Sequence, residues 1–270
     1  MLGASRTAPV VRGRAGPQDK APWRDVAPPR GQVETAFLRP VVLGETIAPF
    51  RLLPPALAVL PIVGRRLLDA GAAMREGHRH LARWMQGIEA TWTAHCAKRS
   101  DGTPRLTLQE RLDYMHGLTE QFGGSGPRVV YAKAGTLPAA AIVEDASLII
   151  DHMAYWMQAR SVDEARYVCA LINSEALRGR VADMQSKGQG GARHFDNLFW
   201  EFPIPEYSRT EARHRALAAA AAEAEQAAAA IDLNEAAHFT GQRRAIRDAL
   251  IASGIAARID ALVEDLLEGA

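Results

Sequence analysis

Twelve of the nineteen residues from 212 to 230, "ARHRALAAAAAEAEQAAAA", are alanine, and no other feature constrains this chain as strongly. Alanine loses least on entering a helix, so a long run of it without glycine or proline is committed to helix. Leu217, Ala221, Ala224, Ala228 and Ile231 recur at alternating steps of four and three. That is a narrow heptad seam whose small side chains suit close packing against another helix. Ser208 and Glu211 have the spacing of a capping box that would open this helix. Ile255, Ile259, Leu262 and Leu266 repeat the rhythm, which predicts a C-terminal α-helical hairpin over 208–270. The alanines are a packing signal and carry no chemistry of their own.

With 270 residues, 48% of them hydrophobic, the chain can bury one large core or two modest ones. The formal net charge is +1, so no global basic field points to nucleic acid. Locally, residues 61–111 hold nine Lys/Arg against five Asp/Glu, and residues 1–40 hold seven against three. A stripe of cations is all that a duplex-binding surface needs, and solvated helix faces explain the same charge equally well. Cys96 and Cys169 are the only cysteines, too few and too far apart for a disulfide framework or a zinc knuckle, and they fit a reducing cytoplasm. No apolar stretch reaches the length of a membrane span and no signal-peptide core is visible. A soluble, cytoplasmic protein with no membrane partner is expected.

Along the chain, residues 1–35 are rich in Pro, Gly, Arg and Ala without period and read as a disordered arm or linker. Short β-prone pieces follow from Thr35 to Val63, punctuated by prolines. Leu81, Trp84, Met85, Ile88 and Trp92 predict an amphipathic helix over 78–97, and the Thr107/Glu110 box opens another through Thr119. Three strand candidates come next, Arg128–Lys133, Pro138–Glu144 and Leu148–Gln158. The period of two puts Val129, Tyr131 and Lys133 on one face and Val130 and Ala132 on the other. Ser161 and Glu164 cap a further helix through Asn173, and "NLFWEF" before Pro203 reads as a strand. The fold class is therefore α+β: a small mixed or antiparallel sheet flanked by helices, followed by the helical hairpin.

The machinery of an enzyme is missing. There is no Gly-rich phosphate loop, no His-x-x-x-His or Cys-x-x-Cys spacing and no G-x-S-x-G elbow. His78 and His80 lie two apart at a helix start and point to different faces. "FGGSG" at 122–126 matches a cofactor-pocket pattern in the wrong context, with a helix before it and a strand after it. The Asn/Asp-Pro-Pro-aromatic tetrapeptide of amino-methylating DNA enzymes is absent. No catalytic, cofactor-binding or metal-binding residue is expected, and the chain alone should catalyse nothing.

One polar stretch stands out, "MQSKGQGGARHFDNLFWEFPIPEYS" from Met184. Gln and Arg pair bidentately with adenine and guanine edges, and Lys neutralises phosphate. Glycines at 188, 190 and 191 let a backbone come close. The plainer reading is a flexible loop whose glycines only turn the chain. Together with "FLRPVVLGETIAPFRLLPP", "RVVYAKAGTLPAA", "IIDHMAYW" and "ARYVCALINSEALRGRV", this stretch resembles the C-terminal part of adenine-specific DNA methyltransferases with a TaqI-like C-terminal specificity domain, from about Pro22 onward.

The resemblance implies a target-recognition module over 36–207, part of a restriction-modification or related defence system. Its partners would be double-stranded DNA and a methyltransferase catalytic subunit. S-adenosylmethionine would bind the catalytic half, which in this family precedes such a sequence; the chain would then be separately encoded or a truncated remnant. Its candidate DNA-binding residues are Tyr131, Lys133, Gln185, Lys187, Gln189, Arg193 and His194. The family pattern carries an aromatic at the position of Gly190, lysine at Asn197 and often lysine at Met153, so phosphate contact and base stacking would be weakened here. Two other classes stand beside this one. In the first, the chain is an interaction protein or structural remnant that docks a partner through the helical hairpin, its loop inert. The second is a complete enzyme of unfamiliar type, which bound S-adenosylmethionine would reveal.

Overall fold

The computed structural model describes residues 7–14, 16, 19–133, 135, 137–182, 184, 195, 198–234 and 236–268. The chain divides into two compact units. The first comprises residues 1–40 and 57–124, and the second residues 41–56 and 125–270. The expected boundaries at 35 and 207 are not where the division falls.

In the first unit the described part of the N-terminal segment, expected as a disordered arm, is built into the fold. Val10–Arg12 pairs antiparallel with Arg30–Gln32, Trp23 stacks on Trp92 with ring centroids 5.5 Å apart, and Val33 is wholly buried. Its composition is biased, yet Val11 and Val33 supply enough apolar anchorage to order it. The Arg79–His95 helix agrees with the apolar spacing. Leu81 and Met85 are buried, with Trp84, Ile88 and Trp92 packed beside them, so the aromatic stripe is core. The start of that helix has no cap of its own. Glu34, distant in sequence, accepts the amides of His80 and Leu81 at 2.9 and 2.8 Å, placing a carboxylate where the helix dipole favours it. The Thr107/Glu110 box forms as expected, but its helix ends at Leu112 rather than Thr119. The Asp113 carboxylate collects the Leu118 and Thr119 amides and Met115 and His116 take positive φ, which diverts the chain.

The second unit is organised by an antiparallel sheet in the order Ala140–Val143, Arg128–Ala132, Ala154–Gln158. The expected strand 148–158 is in fact two. Ile149 and Ile150 pair parallel with Val41 and Val42, and the chain turns at Asp151 before the second begins. Both faces of the central strand are buried, one through Val129 and Tyr131, the other through Val130 and Ala132. The Val162–Asn173 helix packs on one face while Val42, Ile47 and Ile150 fill the other.

Ala212–Ala230 is one helix, and its seam residues Leu217, Ala221, Ala224 and Ala228 are buried in the same cluster as Tyr167 and Leu171. The alanine stripe lets it lie close on the Val162–Asn173 helix. Its cap differs from the expectation. Glu211, not Ser208, is the N-cap and accepts the Arg213 amide, while Ser208 bonds to Thr210. Phe239–Ala252 and Ile255–Glu268 complete the unit, joined through Gly254 at φ 75, a backbone state that glycine reaches without strain. These C-terminal helices share the sheet's core, so 208–270 is not a separate domain. The α+β class stands.

Candidate nucleic-acid interface

The strand Arg128–Ala132 leads to the place where the candidate residues can be judged. Tyr131 has no exposed surface. Its ring stacks on Tyr155, its cross-strand partner, at 5.6 Å, and meets the edge of Phe199 at 5.2 Å. It supports the site from within and presents nothing to a ligand. Lys133, two residues on, emerges at the sheet's end. Its Nζ lies 5.0 Å above the Tyr155 ring, its amide donates to the Met153 carbonyl at 3.2 Å, and its carbonyl accepts the Phe195 amide at 3.0 Å.

That last bond matters for the loop. Gln185, Lys187, Gln189, Arg193 and His194 lie outside the described residues, as do Gly190 and Asn197. Their flanks are described. Val181 on one side is wholly buried, and Phe195 on the other is 1% exposed, stacked on Phe199 at 5.2 Å. Val181 and Phe195, which flank the stretch, are thus both anchored in the core, and Phe195 is bonded to Lys133. "NLFWEF", expected as a strand, contains the short helix Leu198–Glu201. The reason lies in Phe195 and Phe199, four apart and both drawn into the core, a helical rather than a strand spacing.

Around Lys133 the surface is mixed. Met153 is 43% exposed, and His152 is exposed with Nδ1 3.0 Å from Asp151 Oδ1. Burial pushes the Asp151 carboxyl up, but the His152 ring, the Met153 amide and the His152 charge together hold it below its ordinary value. The edge thus carries two cation-capable groups, one of them tied to a carboxylate. His152 and Tyr155 were missed by sequence reasoning, although the facing of Tyr131 and Tyr155 across neighbouring strands is a signal that period-two alignment could have found.

The "INS" residues that contribute to the family resemblance are architectural. The Asn173 side chain accepts the Ala140 amide at 3.0 Å and donates to the Ala140 carbonyl at 2.9 Å. Ser174 Oγ accepts the Leu177 amide at 3.1 Å and begins the Glu175–Ala182 helix. The "PIP" segment receives the Tyr167 hydroxyl at the Pro205 carbonyl, 2.9 Å. "FGGSG" sits between a 3₁₀ turn at Thr119–Gln121 and the strand beginning at Arg128. Among the described residues no group of three or more His, Cys, Asp or Glu is placed to hold a metal ion. No helix among them is long and apolar enough to cross a membrane.

An α+β unit with a small, doubly covered sheet and appended helices is the class this geometry defines. The fold resembles part of a restriction-modification enzyme, the Type IIL enzyme MmeI solved in complex with DNA, with a TM-score of 0.53 at 11% identity over 86% of this chain. The Type IIG restriction endonuclease BpuSI aligns over 96% of this chain at 11% identity with a TM-score of 0.40. The chain spans under a third of either enzyme, 28% and 30% of their lengths. No family model and no curated protein matches the sequence.

Proposed function

We propose that this chain is a DNA target-recognition module of an adenine-specific DNA methyltransferase with a TaqI-like specificity domain, working with a separate catalytic portion. The observation that carries the reading is the bond from the Phe195 amide to the Lys133 carbonyl. It ties Phe195, the described residue that follows the polar stretch, to Lys133, the candidate cation just past the strand Arg128–Ala132. Residues that read a ligand are often carried on segments between the elements of a rigid scaffold. The likeness of fold to an enzyme solved with DNA supports the same reading.

In this reading Lys133, Lys187 and Arg193 meet phosphates, and Gln185 and Gln189 reach base edges with His194 beside them. The chain alone binds no S-adenosylmethionine and transfers no methyl group, which methyl transfer from labelled cofactor by the pure protein would refute. The decisive test is fluorescence anisotropy with duplex libraries at several salt concentrations. Lys133→Ala and Lys187→Ala should each weaken all duplexes alike and flatten the salt slope by about one unit. Gln189→Ala should instead relax sequence preference, by about 1–3 kcal/mol for a bidentate contact. Met153→Lys, which adds a cation to the same edge, should raise affinity. If neither the parent nor Met153→Lys binds any duplex at low salt, the reading is wrong.

A further inference from the structure

In the second unit, residues of the Phe239–Ala252 and Ile255–Glu268 helices line a cavity of about 740 Å³ together with Phe50 and Asn173. We infer that this cavity is a binding site for a small organic anion with an apolar body, its charge held by Arg243 and Arg247. The inference goes beyond DNA recognition and does not depend on it.

The two arginines stand four apart on one helix, so their side chains are neighbours and repel. Both are half-buried. Burial, joined by the neighbouring charge of Arg247, draws the Arg243 guanidinium down to about 10, and burial lowers Arg247 as well. Both stay protonated at neutral pH. Buried charges are normally paired, yet among the described residues neither arginine is in an ion pair. Among the described residues their hydrogen-bond acceptors are main-chain carbonyls, Ile47 and Gly44 for Arg243 and Pro138 for Arg247, and Arg243 also lies 4.8 Å from the centre of the Phe239 ring. A guanidinium offers five N–H groups, so among the described residues most of those on Arg247 have no protein partner. Because no enclosed side-chain N or O among the described residues lacks a partner, those donors keep access to open space.

Two of the nearby carboxylates have partners. Glu175 pairs with Arg178 at 2.5 Å, and Asp260 accepts the Glu175 amide at 2.8 Å. Asp248 at the rim is exposed. Arg243, Arg244 and Arg247 thus share the cavity with Glu175, Asp248 and Asp260, and the Glu175 charge offsets part of the burial of Arg247 without an ion-pair contact to it. The rest of the wall is mixed, with Asn173, Ser174 and Thr240 beside an apolar side formed by Leu250, Ala256, Ile259 and Phe50. Phe50 adds a second anomaly. It is buried at φ 57, a conformation rare for a bulky side chain, held by its amide bond to the Ala140 carbonyl at 2.8 Å. Such outliers concentrate at ligand clamps. The volume lies within the range of roughly 300–1,000 Å³ usual for small-molecule sites.

The probe pair that tests this is 8-anilinonaphthalene-1-sulfonate and its uncharged counterpart N-phenyl-1-naphthylamine, titrated by fluorescence into the full chain. The sulfonate should bind saturably, one per chain, and at least about tenfold more tightly than the uncharged amine, the worth of one charge-assisted hydrogen bond. Arg247→Met should remove that preference, Arg247→Lys should keep most of it, and Ala256→Trp should abolish binding of both probes. Thermal melts of each variant separate loss of the site from loss of the fold. Equal binding of the two probes by the parent, no saturable sulfonate binding, or unchanged binding by a folded Ala256→Trp protein would overturn the inference. So would displacement of the sulfonate by duplex DNA, since the cavity would then belong to the DNA surface.

Discussion

The two units use arginine in opposite ways. In the first, Arg12, Arg24, Arg30, Arg79 and Arg83 are exposed, and Arg12 stands directly across from Arg30 in the antiparallel pair, an arrangement of like charges that costs stability. In the second, Arg51, Arg128, Arg243 and Arg247 turn inward to main-chain carbonyls. Arg51 reaches the Ala228 and Ile231 carbonyls at the end of the alanine helix, at 2.9 and 2.8 Å. Arg128 reaches those of Asp145 and Leu148, at 2.9 and 2.8 Å. The guanidinium is weakly hydrated and presents donors in a fixed fork, so it can join such carbonyls across long sequence gaps. Counting charges cannot distinguish an arginine offered to an anion from one that ties two segments together.

The contrast can be broken most directly at Arg128, which is 4% exposed. Arg128→Met leaves two inward carbonyls without donors and should cost about 3 kcal/mol in urea unfolding, whereas Arg83→Ala should stay within about 0.5 kcal/mol. Equal costs would erase the distinction. Arg51→Ala should be milder, about 1.5 kcal/mol, and hydrogen exchange should show its effect concentrated in the last turn of Ala212–Ala230. An even rise along that helix would mean that Arg51 does not secure its end.

A smaller effect separates the units by pH. Burial pushes the Asp113 carboxyl in the first unit up, but the Thr119 and Leu118 amides, the Thr119 hydroxyl and His116 outweigh it and hold it below its ordinary value. Its stabilisation is present at neutral pH and is lost as pH falls through its lowered folded value. In the second unit, burial raises Glu225 despite Arg166 at 2.9 Å. Its contribution is therefore greatest in acid and is lost as pH rises through the raised folded value. Taking the protein from neutral pH to about 5 should protect the second unit relative to the first in site-resolved hydrogen exchange. Glu225→Gln should flatten that response, by under about 1 kcal/mol; an unchanged response would assign it elsewhere.

Features with a strong local period were legible in the sequence. The Arg79–His95 and Ala212–Ala230 helices and the Thr107/Glu110 box follow from spacing alone. Ser208/Glu211 has the same spacing, but which of the two residues takes the first amide depends on how the chain arrives from Pro205, and spacing does not record that. Tyr131 was read as a contact because alternation identifies faces without saying whether both are covered. Lys133 was read as the last residue of its strand and follows directly on Ala132, while its bond to Phe195 is made by the main chain and leaves no mark in the sequence. The inward arginines left almost no mark, since their acceptors are carbonyls as distant as residues 44 and 228. Only the step of four from Arg243 to Arg247 hinted at a shared face.

Asn173 has a consequence for behaviour in solution. Ala140–Val143 is an outer strand of its sheet, and an uncovered outer strand invites another chain to add to it. By meeting both the amide and the carbonyl of Ala140, the Asn173 carboxamide imitates one residue of a neighbouring strand and occupies that place. A chain carrying leucine there would leave the Ala140 amide without this acceptor, while the carbonyl would keep the Phe50 amide at 2.8 Å. Its first symptom would be faster hydrogen exchange at the Ala140 amide, before any loss of helical circular dichroism.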